Sequence, residues 1–288
     1  MAIIFIHSDD YGVSEASEAT ILSCITDGAV NSVSVMANTA RLENSAHKLK
    51  EVNKNIRIAL HLDLTEGKCV ENPENLFLLT DKDGYFKHGF ISLWLKYIFA
   101  SKKNKAELKK QVHLEFAAQA RVLKKYINFN AVDSHCHMHM IPFVFDIASD
   151  IARQENASVR LVREPSLPFI KHISLLITYK PANILKHVLL NMLSAFASRK
   201  CKNKLYLFGV MFSGKMNLAR VKKILPEMIN IAERENANLE VLFHPCPLGT
   251  GEKVDSKNNK FEKYYKSEGR LLEVETVNSN FLKNIVSR

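Results

Sequence analysis

The chain has 288 residues, 47% of them hydrophobic and 24% charged, with a formal net charge of +10. That length suits one large α/β domain or two small ones, and the apolar share supports a sizeable core. The five cysteines, Cys24, Cys69, Cys136, Cys201 and Cys246, are widely spaced and form no CxxC pair, which argues against a disulfide scaffold and a zinc-finger module.

Residues 3–7 form a short apolar run that reads as a buried first strand. Residues 13–27 read as a helix, with Ser14 as N-cap and Gly28 as the C-terminal stop. A strand over 30–36, a helix over 40–52 and an alternating strand over 56–64 follow. Residues 76–97 read as loop then helix, and 106–126 as a long amphipathic helix. A fourth strand begins at 131–133, with a helix over 143–155 and a strand over 158–163. Residues 165–204 are long, apolar and basic, and read as an insertion in a single domain spanning 1–288. A strand over 205–212, a helix over 218–235, a strand over 239–243 and a helix over 270–286 complete the chain. Alternating strands and helices predict a parallel sheet wound with helices: an α/β fold, a distorted or incomplete (β/α) barrel of about seven strands. The phosphate-binding patterns GxGxxG and GxxxxGK[ST] are absent.

No apolar run reaches the ~18 residues of a spanning helix, and the opening MAIIFIHSDD turns acidic too soon for a secretory leader. With the cysteine pattern, this suits a reducing cytoplasm; peripheral contact at the inner membrane face is a further expectation that rests on the basic charge and on residues 165–204. The positive charge favours an anionic partner. Nucleic acid is not expected, because no helix-turn-helix, zinc-finger or RNP-like pattern accompanies the basic residues. On a helix, Asn183, His187, Asn191, Ser194 and Ser198 make a narrow polar stripe in an otherwise apolar circumference, followed by the basic cluster Arg199, Lys200, Lys202 and Lys204. It reads either as an outer barrel helix with a solvated loop or as an interfacial element.

The chemistry-bearing residues fall at strand ends. The first strand runs into His7, Ser8, Asp9 and Asp10; the third carries His61 and Asp63; the fourth runs into Asp133, His135, His137 and His139; the last ends at His244. On a parallel barrel these ends meet at one mouth. Two histidines and a carboxylate can hold a divalent ion, and a further carboxylate and histidine can move protons. Each piece also has an ordinary reading. Asp9 and Asp10 could cap the next helix, and His61 could be a satisfied half-buried side chain. The three alternating histidines could form a wet strand face, with Cys136 turned away.

The stretches SDDYGVS, ALHLDLTEG, DSHCHMHMIP, VRLVREP and FHP occur in one order along the chain. In them the sequence resembles the YdjC-like carbohydrate deacetylase family, which includes ChbG-type chitooligosaccharide deacetylases and a hopanoid-associated branch. The resemblance implies hydrolysis of the N-acetyl group of an amino sugar, free or carried on a glycolipid, and a homodimer. Carried over by position, it implies Asp10, His61 and His135 as ligands of one divalent metal ion, magnesium or zinc. It implies Asp9 as general base and His244 as acid or oxyanion stabiliser. His137, His139 and Arg163 are implied to face or orient the substrate. The chain departs from the family at His7, where a small or amide residue is usual, at Cys136, where a histidine is frequent, and at Cys246, where glycine is common. A metal-dependent phosphoesterase and a non-catalytic carbohydrate- or membrane-binding protein are the competing readings.

Overall fold

In the computed structural model, which describes residues 2–52, 55–172, 174–175, 179–199 and 204–287, strands and helices alternate along the chain. β1 (Ile4–Tyr11) leads into α1 (Glu15–Thr26), whose first turn is capped by Ser14 accepting from the Ser17 amide. Then come β2 (Ser32–Met36), α2 (Leu42–Val52) and β3 (Arg57–Leu62). A long connection carries α3 (Phe90–Phe99), which runs almost directly into α4 (Lys102–Tyr126). β4 (Ala131–Ser134), α5 (Pro142–Gln154) and the two-residue β5 (Ser158–Val159) follow. The 165–204 region holds α6 (Leu167–Lys171) and α7 (Pro181–Ala197); Lys200, Cys201 and Lys202 lie outside the described residues. β6 (Leu205–Phe208), α8 (Leu218–Arg234) and β7 (Asn238–Phe243) precede three short helices, α9 (Asn259–Tyr265), α10 (Glu268–Val277) and α11 (Asn280–Val286).

The seven strands pair in parallel in the order β5-β4-β3-β2-β1-β7-β6, an incomplete barrel. A backbone hydrogen bond of 2.9 Å from Leu207 to the Arg163 carbonyl links the chain beyond β5 to β6, at the opposite edge. The outward face of the sheet packs against the apolar stripes of the helices, with Ile21, Leu49, Phe116, Val144 and Ile224 fully covered. The inward face is polar. His7, Asp9, His61, Asp133, Arg160 and Glu240 are all buried there and touch one another. Burying so many ionisable groups is tolerable only because each meets an opposite charge or a hydrogen bond. Among the described residues no helix is long and apolar enough to cross a membrane.

Several expected elements end early, for local reasons. The strand expected over 205–212 stops at Phe208, where Gly209 takes φ +147° and a Cβ would meet the Leu242 carbonyl oxygen at 2.7 Å. Beyond it the amides of Gly209, Val210 and Met211 all donate to the buried Glu164 carboxylate, which draws the chain out of the sheet. The strand expected over 158–163 keeps only Ser158 and Val159 in regular pairing, although the Arg160 amide still donates to the Val132 carbonyl. The helix expected over 270–286 breaks at Asn278, and Ser279 caps α11.

Candidate functional site

Two backbone irregularities gather the site. A regular strand would send Asp9 and Asp10 to opposite faces. The β1–β2 pairing slips between Ser8 and Tyr11, and Asp10 adopts φ +67°, so both carboxylates face the same cavity. At the end of β4 the chain likewise leaves the extended conformation. His135–Met140 form a tight 3-10 turn in which Cys136 and His137 take φ of +53° and +56°. Such angles are rare outside glycine and asparagine and cost of order 1–3 kcal/mol each. The remaining described non-glycine residues with positive φ are Asn156 and Asn236, so the costlier cases fall at this site. The turn corrects one expectation: side-chain alternation ends at Ser134, and Cys136 lines the cavity beside His135 and His137 instead of facing away.

One ligand atom each from Asp10, His61 and His135 lies within 4.8 Å of the others. His135 Nδ1 is 2.9 Å from Asp10 Oδ1, and His61 Nε2 is 3.2 Å from the same oxygen. Asp133 Oδ1 sits 2.6 Å from His61 Nδ1. That bond assigns the proton to Nδ1 and leaves the Nε2 lone pair facing the cluster, as carboxylates behind metal-ligating histidines do. Asp10 Oδ2, His61 Nε2, His135 Nε2 and both Glu66 oxygens are buried without a hydrogen-bond partner. Glu66 Oε2 lies 3.0 Å from His135 Nε2, but off the direction a hydrogen bond requires. Buried polar atoms are rarely orphaned, and these belong to the three clustered residues and to Glu66 beside His135. The local field also calls for positive charge: burial disfavours the imidazolium of His61, yet Asp9 and Asp133 outweigh it and raise His61 to about 10. A divalent cation answers the same field and leaves the imidazoles neutral, the form that ligates. The donor set therefore fits such an ion, and two imidazoles with a carboxylate suit zinc, cobalt or manganese better than magnesium, which prefers oxygen.

A second cluster, His7, Asp9 and Asp133, lies beside the first. Its cation is already present. Arg160 grips Asp9 with both terminal nitrogens, at 3.1 and 2.8 Å, and reaches Asp133 Oδ2 at 2.7 Å. Glu240 flanks the same guanidinium and is itself paired with Arg57 at 2.8 Å. Burial pushes the Asp9 carboxyl up, but Arg160, His61 and His7 together hold it well below the usual carboxylate range. His7, a departure from the family pattern, is absorbed by hydrogen bonds to the Ser32 and Ser34 hydroxyls at 2.6 and 2.7 Å.

A cavity of about 250 Å³ opens over both clusters, walled by Asp9, Asp10, His135, His137, Lys186 and His244. A groove of about 470 Å³ adjoins it and shares Cys136 and Phe261 with it. His244 Nε2 faces Asp9 Oδ2 across 3.8 Å. Its backbone is pinned by the Glu273 carboxylate and the Arg270 guanidinium, and burial pushes its imidazole down to about 3, so the ring is neutral. His137 lines the cavity with Nδ1 unpartnered.

Two expected substrate groups do not join them. His139 is fully buried, with Nδ1 on the Ser134 hydroxyl at 2.6 Å and Nε2 on the Arg160 carbonyl at 3.1 Å; it holds the turn together. Arg163 is exposed and lies over the Tyr206 ring at 5.0 Å. The arginine of the site is Arg160, brought beside Asp133 by the β4–β5 register Val132↔Val159. Glu66 was visible in the ALHLDLTEG stretch as a carboxylate close after His61. Lys186 and Lys260, which give the cavity a cationic wall, left no signal in the sequence.

The fold and site define an incomplete parallel (β/α) barrel with a carboxylate–histidine centre able to hold a cation at its mouth. The YdjC-like protein family matches residues 3–288, and the chain belongs to it. A carbohydrate deacetylase of Clostridium beijerinckii is 27% identical over 164 residues, covering 56% of this chain and 60% of that protein. A chitooligosaccharide deacetylase of Escherichia fergusonii is 24% identical over 167 residues, with the same 56% and 60% coverage. The match thus spans less than two thirds of each relative. A crystal structure of a provisionally named cellobiose-phosphate cleavage protein from Enterococcus faecalis V583 superimposes with a TM-score of 0.68 at 18% identity, covering 99% of this chain and 94% of that one. At that identity the likeness is one of fold.

Proposed function

We propose that the protein hydrolyses the N-acetyl group of an amino sugar to give acetate and the free amine. The observation that carries this reading is the clustering of Asp10, His61 and His135, each with a buried unpartnered polar atom, next to Asp9 under a cavity that His244 also lines. Asp10, His61 and His135 would hold a divalent ion, with Glu66 adjacent. When bound, such an ion acidifies water and polarises a carbonyl oxygen.

Asp9 accepts the proton of the attacking water. The Arg160 clamp lowers its basicity but fixes its orientation, and positioning is worth more than basicity once the water is acidified. His244 lies 3.8 Å from Asp9, on the path by which that proton reaches the departing amine. Being neutral, it offers an N–H to the developing charge. His137 contacts the sugar at the cavity wall, and the adjoining groove accommodates further sugar residues. The names of the two deacetylase relatives support the same reading.

The test is acetate release from free, oligomeric and lipid-linked N-acetylhexosamines, each with and without a chelator. Chelator-sensitive acetate release is expected. Release of phosphate from sugar phosphates, with no acetate from any substrate, would reassign the site to a metal-dependent phosphoesterase.

A further inference from the structure

An outer helix ordinarily hides its apolar stripe and shows its polar one. α7 does the reverse. Its polar stripe is the buried side: Asn183 donates to the Met211 and Ser213 carbonyls, His187 Nδ1 lies 2.7 Å from Glu164 Oε2, and Ser194 donates to the Val162 carbonyl at 2.6 Å. Outward, at steps of three and four residues, stand Leu185, Val188, Met192 and Phe196, which are 70%, 50%, 58% and 62% exposed. A second apolar row stands on α3, where Ile91, Leu95, Ile98 and Phe99 are exposed. The two helices pack on one apolar cluster, through Phe90 and Trp94 of α3 and Leu190 and Leu193 of α7, and both touch the His135–Met140 turn. Each row adjoins the site: Lys186, next to Leu185, lines the cavity, and Phe90, next to Ile91, lines the groove.

Charge identifies what these rows meet. Residues 87–105 and 165–204 hold twelve of the forty lysines and arginines and none of the thirty acids. The remaining twenty-eight bases against thirty acids leave the rest of the chain near neutrality, so the positive charge of the protein belongs to the two segments that carry the apolar rows. Apolar rows carried on segments that hold bases and no acids suit a surface that is apolar beneath and anionic above. A two-fold dimer through this face would set the same acid-free, basic segments against each other.

We propose that α3 and α7 form a docking face for an anionic phospholipid bilayer, seating the cavity at the headgroups, where a lipid-carried amino sugar comes within reach. Binding needs no substrate, so the test stands apart from the proposed chemistry. The full chain is sedimented with vesicles of phosphatidylcholine, and of phosphatidylcholine with phosphatidylglycerol, at low and high salt. Binding is expected to the anionic vesicles and to weaken with salt. The pairs Leu185→Ser with Phe196→Ser, and Leu95→Ser with Phe99→Ser, should each weaken it at least about tenfold. These positions are exposed, so the far-UV spectrum should be unchanged. No binding to anionic vesicles at low salt would overturn the proposal. So would serine pairs that dissolve a dimer in analytical ultracentrifugation and leave vesicle binding intact, which would assign the face to a second copy of the chain.

Discussion

The inner face of the sheet carries two neighbouring clusters of ligand-type side chains, and they differ in where their positive charge comes from. In His7–Asp9–Asp133 the charge is covalent: Arg160 fills the space between the carboxylates with bonds of 2.7–3.1 Å. Asp10–His61–His135 has no arginine or lysine among its members, and Asp10 Oδ2, His61 Nε2 and His135 Nε2 are left without hydrogen-bond partners. Asp133 joins the two, holding Arg160 with one oxygen and His61 with the other. On the proposed reading, the difference separates two roles that residue types alone do not distinguish. The cluster with the built-in cation would orient a carboxylate, and the cluster without one could receive an ion.

Asp9→Asn removes the proton acceptor and keeps the charge-independent packing, so metal binding should survive while acetate release falls about 10²–10⁴-fold; a chelator-controlled kinetic assay measures both. Arg160→Met takes the guanidinium from the buried carboxylates of Asp9 and Asp133, while Glu240 keeps Arg57, at a cost of about 3–5 kcal/mol in urea unfolding. Asp133→Asn weakens the hold on the His61 ring, and metal affinity should drop about 10–100-fold with the fold retained. Arg163→Ala loses only an exposed contact with Tyr206, so stability should change by less than about 1 kcal/mol and turnover should stay at the wild-type rate.

The parallel barrel and the clustering of Asp9, Asp10, His61, His135 and His244 were legible because strand–helix alternation places strand ends at one mouth. What stayed hidden follows from where local rules give way. Side-chain parity holds only while a strand is extended, so the left-handed turn at Cys136 and His137 defeated the expected orientation of Cys136. The same turn put His139 into the structure of the loop instead of the cavity. Arg160 and Arg163 look equivalent in VRLVREP, and only the register of a two-residue strand, set by pairing with β4, distinguishes them. Amphipathicity gave α7 its two faces correctly but could not say which faced inward. Glu164 and the carbonyls of Val162, Met211 and Ser213, drawn from distant stretches of the chain, turn its polar side toward the protein.

On the proposed reading a cation binds at the Asp10 cluster and not at its neighbour. Isothermal titration of the full chain with zinc, for the wild type, Asp10→Ala and Asp9→Asn, tests it directly. One ion per chain is expected in the wild type, none in Asp10→Ala, and near-normal affinity in Asp9→Asn. Undiminished binding by Asp10→Ala, together with its loss in Asp9→Asn, would contradict it.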